Sequence, residues 1–178
     1  MERQIAPGET ILPSNEFLAY SRFKLFEQYW PRLQQCLRSL TPEQLWWRPN
    51  AASNSIGNLL LHLSGNVRQW MVASFNGESD ERNRPDEFSR TDGDDGIDPL
   101  AVLNATMVEA EKVLQRLTES DLTKLYSIQG YTVSGLGAVY QVVEHFGLHY
   151  GQIVYITKML TAEDLGFYKE LTKTGRAS

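Results

Sequence analysis

The sequence predicts an all-α fold, a four-helix bundle, on three observations. Four long stretches carry apolar residues at helical spacing, each stretch is preceded by a capping residue, and strand-like composition is confined to one short segment.

Residues 1–13, with Pro7, Gly8 and Pro13, read as an extended lead-in. Ser14 is the expected cap of the first helix, with Glu16 in its first turn. Its apolar stripe runs through Phe23, Phe26, Trp30, Leu33, Leu37 and Leu40. Pro31 lies inside it and should kink or briefly break the helix, because it lacks the backbone donor and crowds the preceding turn. "TPEQ" at 41–44 offers a Thr cap, a first-turn proline and a reciprocal Gln, so a short helical turn should precede the second long helix and end at "WRPN". Ser55 caps that second helix, about 56–76, which should stop near Gly77.

Residues 78–98, polar and rich in Asp, Arg, Gly and Pro, read as a long loop between helices two and three. Within it "DGDDGID" invites a calcium reading, but the glycine is misplaced and no glutamate follows at the twelfth position, so a solvated acidic loop is the better assignment. Asp98 and Pro99 open a third helix, about 99–117. The stretch 121–133 mixes β-branched and aromatic residues around Gly130 and fits a hairpin or an irregular crossover. Ser134 caps the fourth long helix, running to about 160, and residues 165–178 form a tail.

At 178 residues the chain fits one domain spanning 1–178. A net charge of −5 and scattered basic residues argue against a general nucleic-acid binder. No apolar run approaches the roughly 18–20 residues that span a bilayer. The N-terminus shows no signal-peptide pattern, and a cytoplasmic location is the expectation. The single Cys36 excludes an internal disulfide framework and reads as a small buried residue.

The histidines carry the functional signal. "VVEHFGLHYGQIVYITK" holds His145 and His149, and "NLLLHLSGNVRQW" holds His62, the only other one. Residues four apart on a helix lie about 40° apart, so His145 and His149 point the same way. Their stripe includes Gln141 and Gln152, beside an apolar face of Val139, Val143, Phe146, Tyr150 and Ile153. On the second helix His62 shares a stripe with Asn66, Gln69 and Ala73, beside Ile56, Leu60, Leu63, Val67 and Trp70. Facing helices lie about 8–10 Å apart, close enough for three imidazoles to share a borderline divalent ion such as zinc, nickel or copper. Partly buried histidines that only bond carbonyls are the alternative. "HFGLH" lacks the glutamate of a zinc-protease helix, since Phe146 stands in its place. Glu144 points about 100° away from the pair.

"SIGNLLLHLSGNVRQW" followed by "VVEHFGLHYGQIVYITK", with "LTPEQLWWRPN" as a lead-in, resembles the DinB-like superfamily, which includes YfiT-type metal-dependent hydrolases. The resemblance covers most of residues 15–160. It implies an up-down-down-up bundle, frequent homodimers, and a divalent metal, zinc or nickel, held by His62, His145 and His149. Relatives of this kind act as thiol S-transferases with a low-molecular-weight thiol co-substrate, as isomerases or as hydrolases.

A three-histidine metal site leaves coordination open for water or a small-molecule substrate. Asn66 and Gln152 are candidates for orienting that water or substrate. Arg48 can hold a substrate or thiol carboxylate, or equally a nearby helix end. Tyr150 reads as packing. Two functions remain: a metal-dependent enzyme of transferase or hydrolase type, and a non-catalytic metal-binding or stress-related helical protein.

Overall fold

A computed structural model of the chain describes residues 12–93 and 96–169. Four long helices dominate it. Helix α1 (13–37) is α-helical over Pro13–Arg22, π-helical over Phe23–Tyr29 and α-helical again over Trp30–Leu37. Pro31 therefore neither ends nor interrupts the helix. The widened π turn lies directly before it, where Trp30 N–H reaches back to the Leu25 carbonyl, and loosens the backbone that the ring would otherwise crowd. The wider turn also shifts the inward face. Ser21, Leu25, Leu33 and Cys36 are the buried residues of α1, so the 3.6-residue template drifts upstream of the proline. Ser14 is not the cap: Leu12 occupies that position and Pro13 the first turn, which suits proline because its missing donor would be unpaired there.

The short α2 (Pro42–Trp46) has the capping box expected of Thr41 and Gln44. Helix α3 (56–76) opens on a second capping box, Ser55 with Asn58, and passes through a π-helical stretch, Arg68–Ala73. It stops at Gly77, which takes the left-handed conformation that ends helices. The sequence pattern predicts an amphipathic α3. The structure buries both its faces: Ile56, Leu60, Leu63 and Val67 sit in the core, and His62, Asn66 and Gln69 are buried too.

The cover over that polar stripe is the segment after α3. Residues 78–98 are not a plain loop, because α4 (Arg84–Ser89) forms within them and packs on α3. Pro85 and the acidic pair Asp86 and Glu87 in the first turn are the local reasons for a helix there. Asp94 and Asp95 of the acidic "DGDDGID" stretch lie outside the described residues.

Helix α5 (Pro99–Arg116) is capped by Asp98, whose carboxylate accepts from the Leu100 and Ala101 amides. After the short α6 (Glu119–Thr123), β1 (Leu125–Ile128) and β2 (Tyr131–Ser134) form an antiparallel hairpin. Its two turn residues, Gln129 and Gly130, both have positive φ, as a two-residue hairpin turn requires. Ser134 then caps the long α7 (Gly135–Thr161). Helix α3 packs against α5 and α7, and α1 against α7 and α5, where Arg22 pairs with Glu111. The core along α7 is Ala138, Val139, Val142, Phe146 and Ile153. Past α7, Leu165 is buried and its carbonyl accepts from Gln35 Nε2, while residues 170–178 of the tail lie outside the described residues. No described helix is long and apolar enough to cross a membrane.

Candidate metal centre

Helices α3 and α7 bring the three histidines together. One ring nitrogen from each of His62, His145 and His149 lies within 4.8 Å of the others. His62 Nε2 and His145 Nε2 are 3.0 Å apart. Two nitrogens bound to one tetrahedral ion at about 2.0–2.1 Å stand about 3.3 Å apart, so this spacing is close to that of a shared ion. His62 is buried and its two partners are half-buried, with the rings of His145 and His149 edge to face.

The outer nitrogens show how the rings are aimed. Glu87 Oε2 lies 2.8 Å from His62 Nδ1. Burial pushes this carboxyl up, but bonds from His62 and Arg82 and the Arg82 charge outweigh it and hold Glu87 below the usual carboxylate range. It is therefore ionised and accepts the Nδ1 proton, which leaves the His62 Nε2 lone pair facing the cluster. Arg82 Nη2, which donates to Glu87 Oε2, is also 3.1 Å from Nδ1, but an unprotonated Nδ1 would face that carboxylate oxygen at 2.8 Å as two acceptors, so the Nδ1 proton is the arrangement that fits. His149 Nδ1 is 2.7 Å from Gln152 Oε1, which likewise fixes the proton on the outer nitrogen. His145 Nδ1 is buried with no such partner, so packing alone orients that ring.

Burial, then the neighbouring His149, His62, Arg82 and Arg84, depress the His145 pKa to about 3. Burial also lowers that of His149, against the opposing bond from Gln152. These two imidazoles are thus neutral at pH 7, the form that ligates metals. The donor set fits a divalent ion.

Around His62 lies a buried polar network that the sequence reading does not contain. Arg82 Nε donates to Glu87 Oε1 at 2.6 Å and Arg82 Nη1 to Gln69 Oε1 at 2.9 Å. Gln69 in turn bonds Asp80 and the hairpin residue Gln129. The Arg82 and Glu87 side chains are only 6% and 9% exposed. Gly65 makes room for the pair, since a Cβ there would stand 2.2 Å from Glu87 Oε1. Phe88 covers His62 with ring centroids 4.8 Å apart. The only sequence signal for this wall is the first-turn composition of "RPDEFS", lost in a segment read as loop.

Gln152 bonds His149. Asn66 is buried beside the network, with its Oδ1 unpartnered and no bond to a histidine. Arg48 Nη2 donates to Asn58 Oδ1 at 2.8 Å and to the carbonyls of Phe88 and Arg90, so it ties the start of α3 to the end of α4. Tyr150 stacks on Tyr29, and Glu144 is exposed.

A family model described as "Protein of unknown function (DUF1572)" matches residues 13–172. No curated protein matches the sequence. Among solved structures, a DinB-like protein from Bacillus cereus superposes with a TM-score of 0.60 at 16% identity, over 81% of this chain and 90% of that one. The chain thus has the DinB-like fold that its histidine motifs suggest.

Proposed function

The chain belongs to the DUF1572 family, whose description carries no reaction, and from the site we propose a divalent-metal-binding protein acting as a metal-dependent enzyme of thiol S-transferase type. The observation that carries this reading is the convergence of His62 and His145 at 3.0 Å beside His149, with the outer nitrogens of His62 and His149 held by Glu87 and Gln152. His62, His145 and His149 would hold zinc or nickel. When bound, such an ion supplies Lewis acidity toward a water, carbonyl or thiol.

The chain's own residues do the rest. Glu87 keeps a proton on His62 Nδ1 and Gln152 keeps one on His149 Nδ1, so both rings offer their inner lone pairs. Phe88 and α4 close the His62 side against water. Three protein donors, without a fourth His, Cys or carboxylate in the cluster among the described residues, favour an open site over a purely structural one.

The choice of transferase over hydrolase rests on Glu87. Its two oxygens are taken by His62 and Arg82 and its pKa is lowered, which makes it a poor general base. Hydrolysis gains from a free base near the cluster, whereas a thiol co-substrate of low molecular weight needs only a site that stabilises its thiolate.

Metal content decides the first half. Wild-type protein supplemented with zinc or nickel should carry about one ion per chain, and His145→Ala much less; equal, sub-stoichiometric content in both would end the proposal. The second half is tested by thiol consumption with an electrophilic acceptor. A protein whose metal removal alters stability alone is instead the non-catalytic binder.

A further inference from the structure

Gln152 belongs to two environments at once. Its Oε1 holds His149, and its exposed side chain also lines a cleft of about 360 Å³ with Pro49, Leu59, Tyr155, Ile156 and Met159. Leu59 lies one turn before His62 on α3, while Gln152, Ile156 and Met159 follow His149 turn by turn along α7. The two helices run past each other in opposite senses here, so the cleft lies past one end of the histidine cluster, and Gln152 is the residue that joins the two. The loop from Pro49 to Asn54 forms its third wall. Its lining is mostly apolar, with Ser53, Asn54 and Gln152 as polar points, and its size is that of small-ligand sites.

We propose that this cleft seats the apolar body of a small organic ligand whose donor atom reaches the three histidines. The ligand class follows from the walls. Leu59, Ile156, Met159 and the Tyr155 ring suit an aromatic or branched aliphatic group, and no described lysine, arginine or carboxylate lines the cleft to bind a charged one. Gln152 sits between body and donor, so occupancy of the cleft is felt at His149. This rests on the three-histidine metal reading for the donor end only.

The test uses Ala52→Trp, because Ala52 is exposed on the loop wall and a tryptophan there fills the cleft without entering the core. Cobalt(II)-loaded protein is titrated with ethanethiol and with 2-phenylethanethiol, read by visible absorption. Wild type should bind the phenyl compound about tenfold or more tightly, from burial of the ring. Ala52→Trp should bring that ratio near one and leave ethanethiol unchanged; Tyr155→Ala, at a wall residue 71% exposed, should lower it as well. Equal affinities in wild type, or a ratio untouched by both substitutions, would overturn the proposal.

A metal-free arm separates the two readings. Titration with 2-phenylethanol should move the Met159 methyl resonance to saturation in wild type and leave it still in Ala52→Trp. No movement overturns the cleft even where cobalt binds. Movement without cobalt binding overturns the metal reading and leaves the cleft standing. A Met159 shift that follows protein concentration without the probe would make this a face between two copies, and the proposal would fall.

Discussion

Glu87 Oε2 lies 2.8 Å from His62 Nδ1 across 25 residues of sequence, and the same carboxylate is gripped by Arg82 through Nε and Nη2. This one acid fixes the proton of a candidate ligand and neutralises a buried guanidinium. Glu87→Gln keeps an oxygen for His62 but removes the charge that compensates Arg82. Breaking one side of a buried pair costs about 3–5 kcal/mol. Losing the carboxylate behind a ligating histidine weakens metal binding roughly 10–100-fold. Urea unfolding of metal-free protein and a chelator competition read the two effects separately. An unchanged metal affinity would show that Glu87 serves the fold alone.

Gly65 is the second handle on that pair. Alanine is favoured over glycine inside a helix by about 1 kcal/mol, so Gly65→Ala would ordinarily stabilise. Here the new Cβ would stand 2.2 Å from Glu87 Oε1 and 2.7 Å from Arg82 Nε, both ends of a side-chain pair already held by bonds to His62 and Gln69. The clash outweighs propensity. Thermal unfolding should show net destabilisation, and metal affinity should fall with it; a raised melting temperature would mean that the pair moves freely.

The sequence shows the ligand stripes more clearly than their surroundings, and the reason is physical. Caps such as Thr41, Ser55, Asp98 and Ser134 act within three residues, so local reading finds them. The i, i+4 spacing of His145 and His149 is likewise local. Which face of α3 is covered depends on a segment that returns from 20 residues downstream, and no periodicity encodes that. Arg82 and Glu87 look like ordinary surface charges until Gly65 admits them. The π-helical stretches of α1 and α3 shift the inward face by a fraction of a turn, which a fixed 100° step cannot follow.

Acid should unfold the metal-free protein earlier than its carboxylates alone dictate. Burial, then the charges of His149, His62, Arg82 and Arg84, lower His145 from its ordinary 6.5 to about 3. The unfolded imidazole takes up its proton near 6.5 and the folded one only near 3. Between those values the unfolded state binds more protons, so stability is full above 6.5 and falls as the pH drops. Urea midpoints of chelator-treated protein should decline across this window, and less steeply in His145→Gln. Parallel curves for the two proteins would contradict the assignment.

Cys36 provides the last test, because the proposed thiol chemistry in a chain with a cysteine of its own invites a covalent mechanism. Burial pushes the Cys36 thiol from 9.0 to about 11, and the side chain is fully enclosed between α1 and α7. The nucleophile is the thiolate, so at pH 8 the native residue is almost entirely the inert form, while the unfolded one ionises about two pH units lower. Iodoacetamide labelling at pH 8 should therefore be slow in the native protein and track global unfolding in denaturant. Cys36→Ala should cost about 1 kcal/mol of stability from the small cavity and leave metal content and thiol consumption unchanged within about twofold. Fast stoichiometric labelling of the folded chain, or loss of thiol consumption in a Cys36→Ala protein that still carries its metal, would move the chemistry from the histidines to the cysteine.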